Sequence, residues 1–141
     1  MLTDIRNIKI NPNLPLLICD ADEVIFEFMT TFENFLNSNN LYFSYQSFKL
    51  NGNIKKIKNN KALENSKISS LIDNFFKKHT YTQKLIKSCK ITLEELSKHI
   101  SIIILTNMPN EYVINRIKAL ENNGMFYDVI VNKGGKGEVC A

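Results

Sequence analysis

Two rhythms of apolar and polar positions run along this chain: short continuous apolar runs, and longer stripes at helical spacing. The run Leu16-Leu17-Ile18-Cys19, bounded by Pro15 and Asp20, predicts a central strand buried on both faces. Val24, Ile25 and Phe26 form a short extended stretch suited to a turn or small hairpin. Phe28, Phe32, Phe35 and Leu36 then recur at i, i+4, i+7 and i+8, one face of a helix that the breakers Asn37-Ser38-Asn39-Asn40 close. Residues 41 to 66 are less regular, with Asn51-Gly52 and a lysine cluster from Lys55 to Lys61. The helical period returns at Ile68, Leu71, Ile72, Phe75 and Phe76. A second short helix is expected to carry Leu85, Ile86 and Cys89. Thr92 with Glu95 has capping-box spacing, which starts a further helix to about Lys98.

Ile100 to Leu105 carries the strongest strand signal and ends at Thr106-Asn107. Pro109 opens a helix with Val113, Ile114, Ile117 and Leu120 on its apolar face, and Asn122-Asn123-Gly124 stops it. A third strand, Val129-Ile130-Val131, runs into Asn132-Lys133-Gly134-Gly135-Lys136-Gly137, and Glu138 to Ala141 read as the first turn of a helix. Helical crossovers between apolar strands imply an α/β fold with a parallel sheet covered on both faces. Ligands of such sheets sit outside the carboxyl ends of the strands. Asp20 and Asp22, Thr106 and Asn107, and Lys133 or Lys136 all stand there.

Composition narrows the classes. The chain has 141 residues and a mass of 16.3 kDa, room for one ordinary domain, with 44% apolar and 23% charged residues. Its net charge of +4 comes from lysine, sixteen against two arginines. The cluster Lys55, Lys56, Lys58 and Lys61 therefore reads as solvated surface, and nucleic-acid binding is not expected. Cys19, Cys89 and Cys140 share no metal or redox spacing, and His79 and His99 stand far apart. This argues against a disulfide scaffold or zinc finger and for a reducing, cytoplasmic location. No apolar run reaches transmembrane length, and the N-terminus, with Asp4 and Arg6, lacks the pattern of a signal peptide. Neither GxxxxGK[ST] nor GxGxxG occurs.

Two carboxylates at i and i+2 repel when they share a pocket, so Asp20 and Asp22 call for a divalent cation or a shared proton. Mg2+ suits oxygen ligands and a phosphate substrate. Thr106 has a hydroxyl to give to a phosphate oxygen, and a lysine of the glycine-rich turn can neutralise phosphoryl charge.

These residues together resemble the haloacid dehalogenase-like (HAD) hydrolase superfamily, mostly Mg2+-dependent phosphatases. Its first motif, an apolar strand followed by D-x-D, is matched by Leu17-Ile18-Cys19-Asp20-Ala21-Asp22-Glu23-Val24-Ile25. The second is matched by Ile102-Ile103-Ile104-Leu105-Thr106-Asn107, and the third by a lysine, Lys136 in preference to Lys133. The resemblance covers roughly residues 14 to 141. It implies Asp20 as the nucleophile and Asp22 as the acid and base, with Mg2+ held by Asp20 and the backbone carbonyl of Asp22. Thr106 would hold a phosphoryl oxygen, with Asn107 and Lys133 as further substrate-binding candidates and Lys136 stabilising the transferred group. The implied substrate is a small phosphorylated metabolite. The implied organisation is a Rossmann-like HAD-type core of residues 1–36 and 99–141, with a helical cap of residues 37–98 inserted after the first strand and helix. No apolar strand follows Lys136 to carry the family's fourth, acidic motif, so the expected sheet is incomplete and the chain reads as truncated before that motif. The alternative is a catalytically inactive HAD-like remnant serving as a binding or structural module, which self-associates through an uncovered sheet edge.

Overall fold

The computed structural model describes residues 5 to 141, so Asp4 of the N-terminal pattern lies outside the described residues. The chain divides into two compact units. One comprises the residues up to Glu27 with Gln83–Ala141, and the other comprises Phe28–Thr82.

The first unit holds a parallel sheet of β1 (Leu16–Cys19), β4 (Ser101–Asn107) and β5 (Asp128–Asn132), in the order β1-β4-β5. Leu16 pairs with Ser101 and Cys19 with Ile104, while Ile103 pairs with Asp128 and Thr106 with Val131. Branched, apolar Ile102-Ile103-Ile104-Leu105 fills both faces of β4, and all four are buried. The expectation of a central first strand is corrected: β4 is central, and β1 pairs only with β4 among the described residues. Nor is β1 buried on both faces as expected: Leu16, Leu17 and Ile18 are half-buried, because an apolar run reports strand character and not how fully the strand is covered.

Helices α3 (Cys89–Ser97) and α4 (Val113–Asn122) precede and follow β4. Gly124, at φ +75°, follows the end of α4 in the left-handed conformation that its missing Cβ permits. Two local expectations fail around residue 88. Leu85 forms an isolated antiparallel bridge with Phe26, so no helix carries it, and Cys89 is instead the first residue of α3. That helix is capped at Ser88, at φ +69°, and Thr92 lies inside it. The short helix α5 (Gly137–Cys140) follows the glycine-rich turn as expected.

The second unit contains α1 (Phe28–Ser38), an antiparallel hairpin of β2 (Leu41–Phe43) and β3 (Ile54–Lys56), and α2 (Asn65–His79). The phenylalanine stripes of both helices, expected in separate units, meet. Phe75 packs edge-on against Phe28, Phe32 and Phe35, with ring centroids 5.1, 5.2 and 5.5 Å apart. Each such pair adds about 0.5–1.5 kcal/mol beyond area burial. Two differences from the expected insertion follow. Its compact boundaries are 28 and 82 in place of 37 and 98, so α1 goes with the insertion and α3 with the sheet. It is also mixed, because a hairpin occupies the stretch that has no clear period. No helix among the described residues is long and apolar enough to cross a membrane.

Candidate functional site

Beyond Cys19 the strand geometry stops. Ala21, fully buried, offers its carbonyl to the N–H groups of Val24, Ile25 and Phe26 at 3.4, 2.9 and 3.0 Å. Phe26 returns its own carbonyl to Glu23 N–H at 2.8 Å. Glu23 takes φ +60°, a strained value for a side chain with a Cβ, which this crossed set of bonds holds in place. The turn also binds the other crossing of the chain: Ile86 N–H donates to Ile25 O, and Glu27 N–H to Lys84 O, both at 2.8 Å.

This turn separates the environments of the two carboxylates. Asp20 Oδ1 accepts from the Ala21 N–H at 2.7 Å and from Lys136 Nζ at 2.9 Å. Lys136 Nζ donates in addition to the Leu105 carbonyl at 2.8 Å, so one ammonium ties the turn after β5 to the ends of β1 and β4. The side chains of Lys136 and Asp20 are 28% and 48% exposed, open enough for a ligand to reach. Asp22 Oδ1 instead accepts from Arg116 Nη2 at 2.9 Å and from Gln83 Nε2 at 3.4 Å. The two carboxylates, expected to share one countercharge, have one basic side chain each.

Arg116 is the residue that the sequence pattern hides. It lies on the buried side of α4 with Val113, Ile117 and Leu120, and its side chain has no exposed surface. Its Nη2 also donates to Gln83 Oε1 at 3.0 Å, and its guanidinium carbon lies 4.8 Å from the centroid of the Phe26 ring. Its Nε and Nη1 are buried without a hydrogen-bond partner. Spacing at i+3 from Val113 was the available signal, overridden by the charge of the residue.

Thr106 is completely buried, and its Oγ1 likewise has no partner. Asn107 Nδ2 donates to the Gly134 carbonyl at 2.8 Å, and Asn132 Nδ2 donates to Gly135 O at 3.1 Å. Asn107 thus holds the glycine-rich turn that presents Lys136. Lys133 is exposed, and of the two candidate lysines Lys136 is the one in contact with Asp20. The Cys19 thiol donates to the Asp20 carbonyl at 3.3 Å, and burial, with the Asp20 charge adding, pushes its pKa up. That makes it an inert core thiol. Among the described residues, no three His, Cys, Asp or Glu side chains come together in a group able to hold a metal ion.

In comparison with known proteins, no family model matches the chain and no curated protein matches it.

Proposed function

We propose that the sheet-bearing unit is a HAD-like phosphoryl-transfer domain that hydrolyses a small organic phosphate. The observation that carries this reading is Lys136 bound at once to Asp20 and to the carbonyl of Leu105, the residue before Thr106 with its buried, partnerless hydroxyl. A buried hydroxyl left unpaired costs about 1–3 kcal/mol, which a phosphoryl oxygen would recover.

Asp20 Oδ2, the oxygen that neither Lys136 nor Ala21 engages, is the nucleophile. It forms a bond to phosphorus as the bond to the leaving oxygen breaks, giving an aspartyl phosphate. Asp22 enters the cycle with a proton on Oδ2, the oxygen left open by Arg116 and Gln83; it gives that proton to the leaving oxygen and recovers one from the attacking water. Water attack on phosphorus breaks the acyl phosphate, returning the Asp20 carboxylate and inorganic phosphate. Lys136 offsets the negative charge on Asp20 and on the transferred group throughout. The donor set fits Mg2+, which keeps several waters and needs only one or two protein oxygens: the Asp20 carboxylate and the Asp22 backbone carbonyl would hold it. When bound, the ion supplies neutralisation of phosphoryl charge. Three free thiols accord with the cytoplasm as the location.

The test is Mg2+-dependent phosphate release from an aryl phosphate. Turnover that a chelator stops, and that Asp20→Asn lowers to background, supports the reading. No release by the full chain, or equal release by Asp20→Asn, ends it.

The second reading, an inactive module that pairs with a copy of itself, is favoured by one observation. Leu16, Leu17 and Ile18 of the edge strand are only half-buried, and Leu16 and Ile18 line an apolar cleft of about 290 Å3 with Ile103, Leu105 and Ile130. It requires light scattering to rise with protein concentration and calorimetry to show no Mg2+ binding.

A further inference from the structure

We propose that Arg116, with Gln83, is the positioning residue that sets the Asp22 carboxylate for its role in proton transfer. The inference rests on the phosphoryl-transfer reading above and assigns a part in it to two residues outside its motifs.

Asp22, Gln83 and Arg116 form a closed triangle in which each side chain touches both others, at 2.9, 3.0 and 3.4 Å. The three come from the turn after β1, from the returning chain before α3, and from α4. The guanidinium is fixed from a fourth direction by the face of Phe26, itself buried in the same turn as Asp22. A buried guanidinium held over an aromatic ring, with one nitrogen donating to both the carboxylate and the Gln83 amide, has little freedom left, and it passes that restriction to its acceptor.

Stability alone does not account for this arrangement. A buried ion pair is generally no better for stability than apolar side chains of the same volume. Here two donors, Nε and Nη1, are in addition buried without partners, an expense that an aliphatic residue on the same face of α4 would avoid. The geometry fixes Asp22 Oδ1 and leaves Oδ2 as the oxygen available to substrate. Gln83 completes the fixation by donating through Nε2 to Asp22 while accepting through Oε1 from Arg116.

The experiment compares the full chain with Arg116→Met and Arg116→Lys, the latter keeping the charge but not the planar fork. With para-nitrophenyl phosphate and Mg2+, kcat is expected to fall about 100-fold in both variants while KM stays within about twofold, the signature of a misplaced group that does not bind substrate. Three-bond NMR couplings of Asp22 are expected to report one χ1 rotamer in the parent chain and averaging in the variants. That second readout needs no activity. If the parent chain releases no phosphate yet Asp22 is ordered there and freed in the variants, the phosphatase reading falls and the positioning role of Arg116 is supported. If Arg116→Met fails to fold, Arg116→Lys carries both readouts. A kcat within twofold of an active parent, or an Asp22 rotamer unchanged in the folded variant, overturns the proposal.

Discussion

Lys136 Nζ stands 2.9 Å from Asp20 Oδ1 and donates at the same time to the carbonyl of Leu105. The two charged groups are partly open to water, so solvent screens their attraction, and the pair contributes less than about 1 kcal/mol to folding. Lys136→Met is therefore expected to lower the melting temperature by only a few degrees while cutting phosphate release by about 100- to 1000-fold. Thermal melts and turnover assays on the same preparation separate these effects. A melting temperature that collapses along with activity would make the lysine a structural strut.

Thr106→Val has the opposite balance. The substitution removes a buried oxygen that has no partner and keeps the branched shape that β4 requires. Stability is expected to rise by about 1 kcal/mol in urea denaturation. Affinity for inorganic phosphate, measured by calorimetry, is expected to fall. Destabilisation would mean that the hydroxyl is satisfied in solution.

The Asp22–Arg116 pair is asymmetric, because Asp22 keeps 22% of its side-chain surface exposed and Arg116 none. Asp22→Asn strands a cation in the interior and is expected to cost about 3–5 kcal/mol. Arg116→Met leaves a carboxylate that water can still reach and is expected to cost less. Denaturant midpoints of the two single variants decide the order.

Burial pushes the thiols of Cys19 and Cys89 and the Tyr127 phenol upward from their ordinary values. The unfolded chain then loses these protons first, so the folded chain binds more protons at alkaline pH. Their contribution to stability is complete below the ordinary thiol value of 9.0 and is lost as pH rises through the folded values. Melting temperature is expected to decline above that pH, and less steeply in Cys19→Ala. In native buffer, iodoacetamide is expected to label exposed Cys140 first and buried Cys19 only on unfolding.

Much of this could be read before the fold was seen. Each sheet strand is an apolar run with a polar stop, most fully realised in β4, whose Ile102 to Leu105 are all buried. The phenylalanine stripes of α1 and α2 are legible too. What stayed hidden depends on partners far away in sequence. Arg116 is buried because Asp22 and Gln83, 94 and 33 residues distant, meet it there. Its spacing at i+3 from Val113 placed it on the buried face, but its charge argued for solvent. The hairpin of Leu41–Phe43 with Ile54–Lys56 is three residues per strand and partly lysine, too short for a period to register. Thr92 and Glu95 satisfy a capping pattern inside a helix that had already begun at Cys89. Asp20 and the lysine candidates Lys133 and Lys136 stand out in the sequence one by one, and only the fold puts Lys136 on Asp20 and, through the turn at Ala21, gives Asp22 a different counterion.

The bond from Glu27 N–H to Lys84 O and the bridge between Phe26 and Leu85 hold the departing and returning chain side by side, at the point where residues 28–82 leave the sheet-bearing unit. Such a neck makes the intervening stretch a closed excursion whose ends are already joined. Doubling the length of a closed loop costs only about 0.6 kcal/mol, so the content of the excursion is nearly free to vary. The sheet-bearing unit therefore carries little entropic cost for the length of the stretch between Phe28 and Thr82.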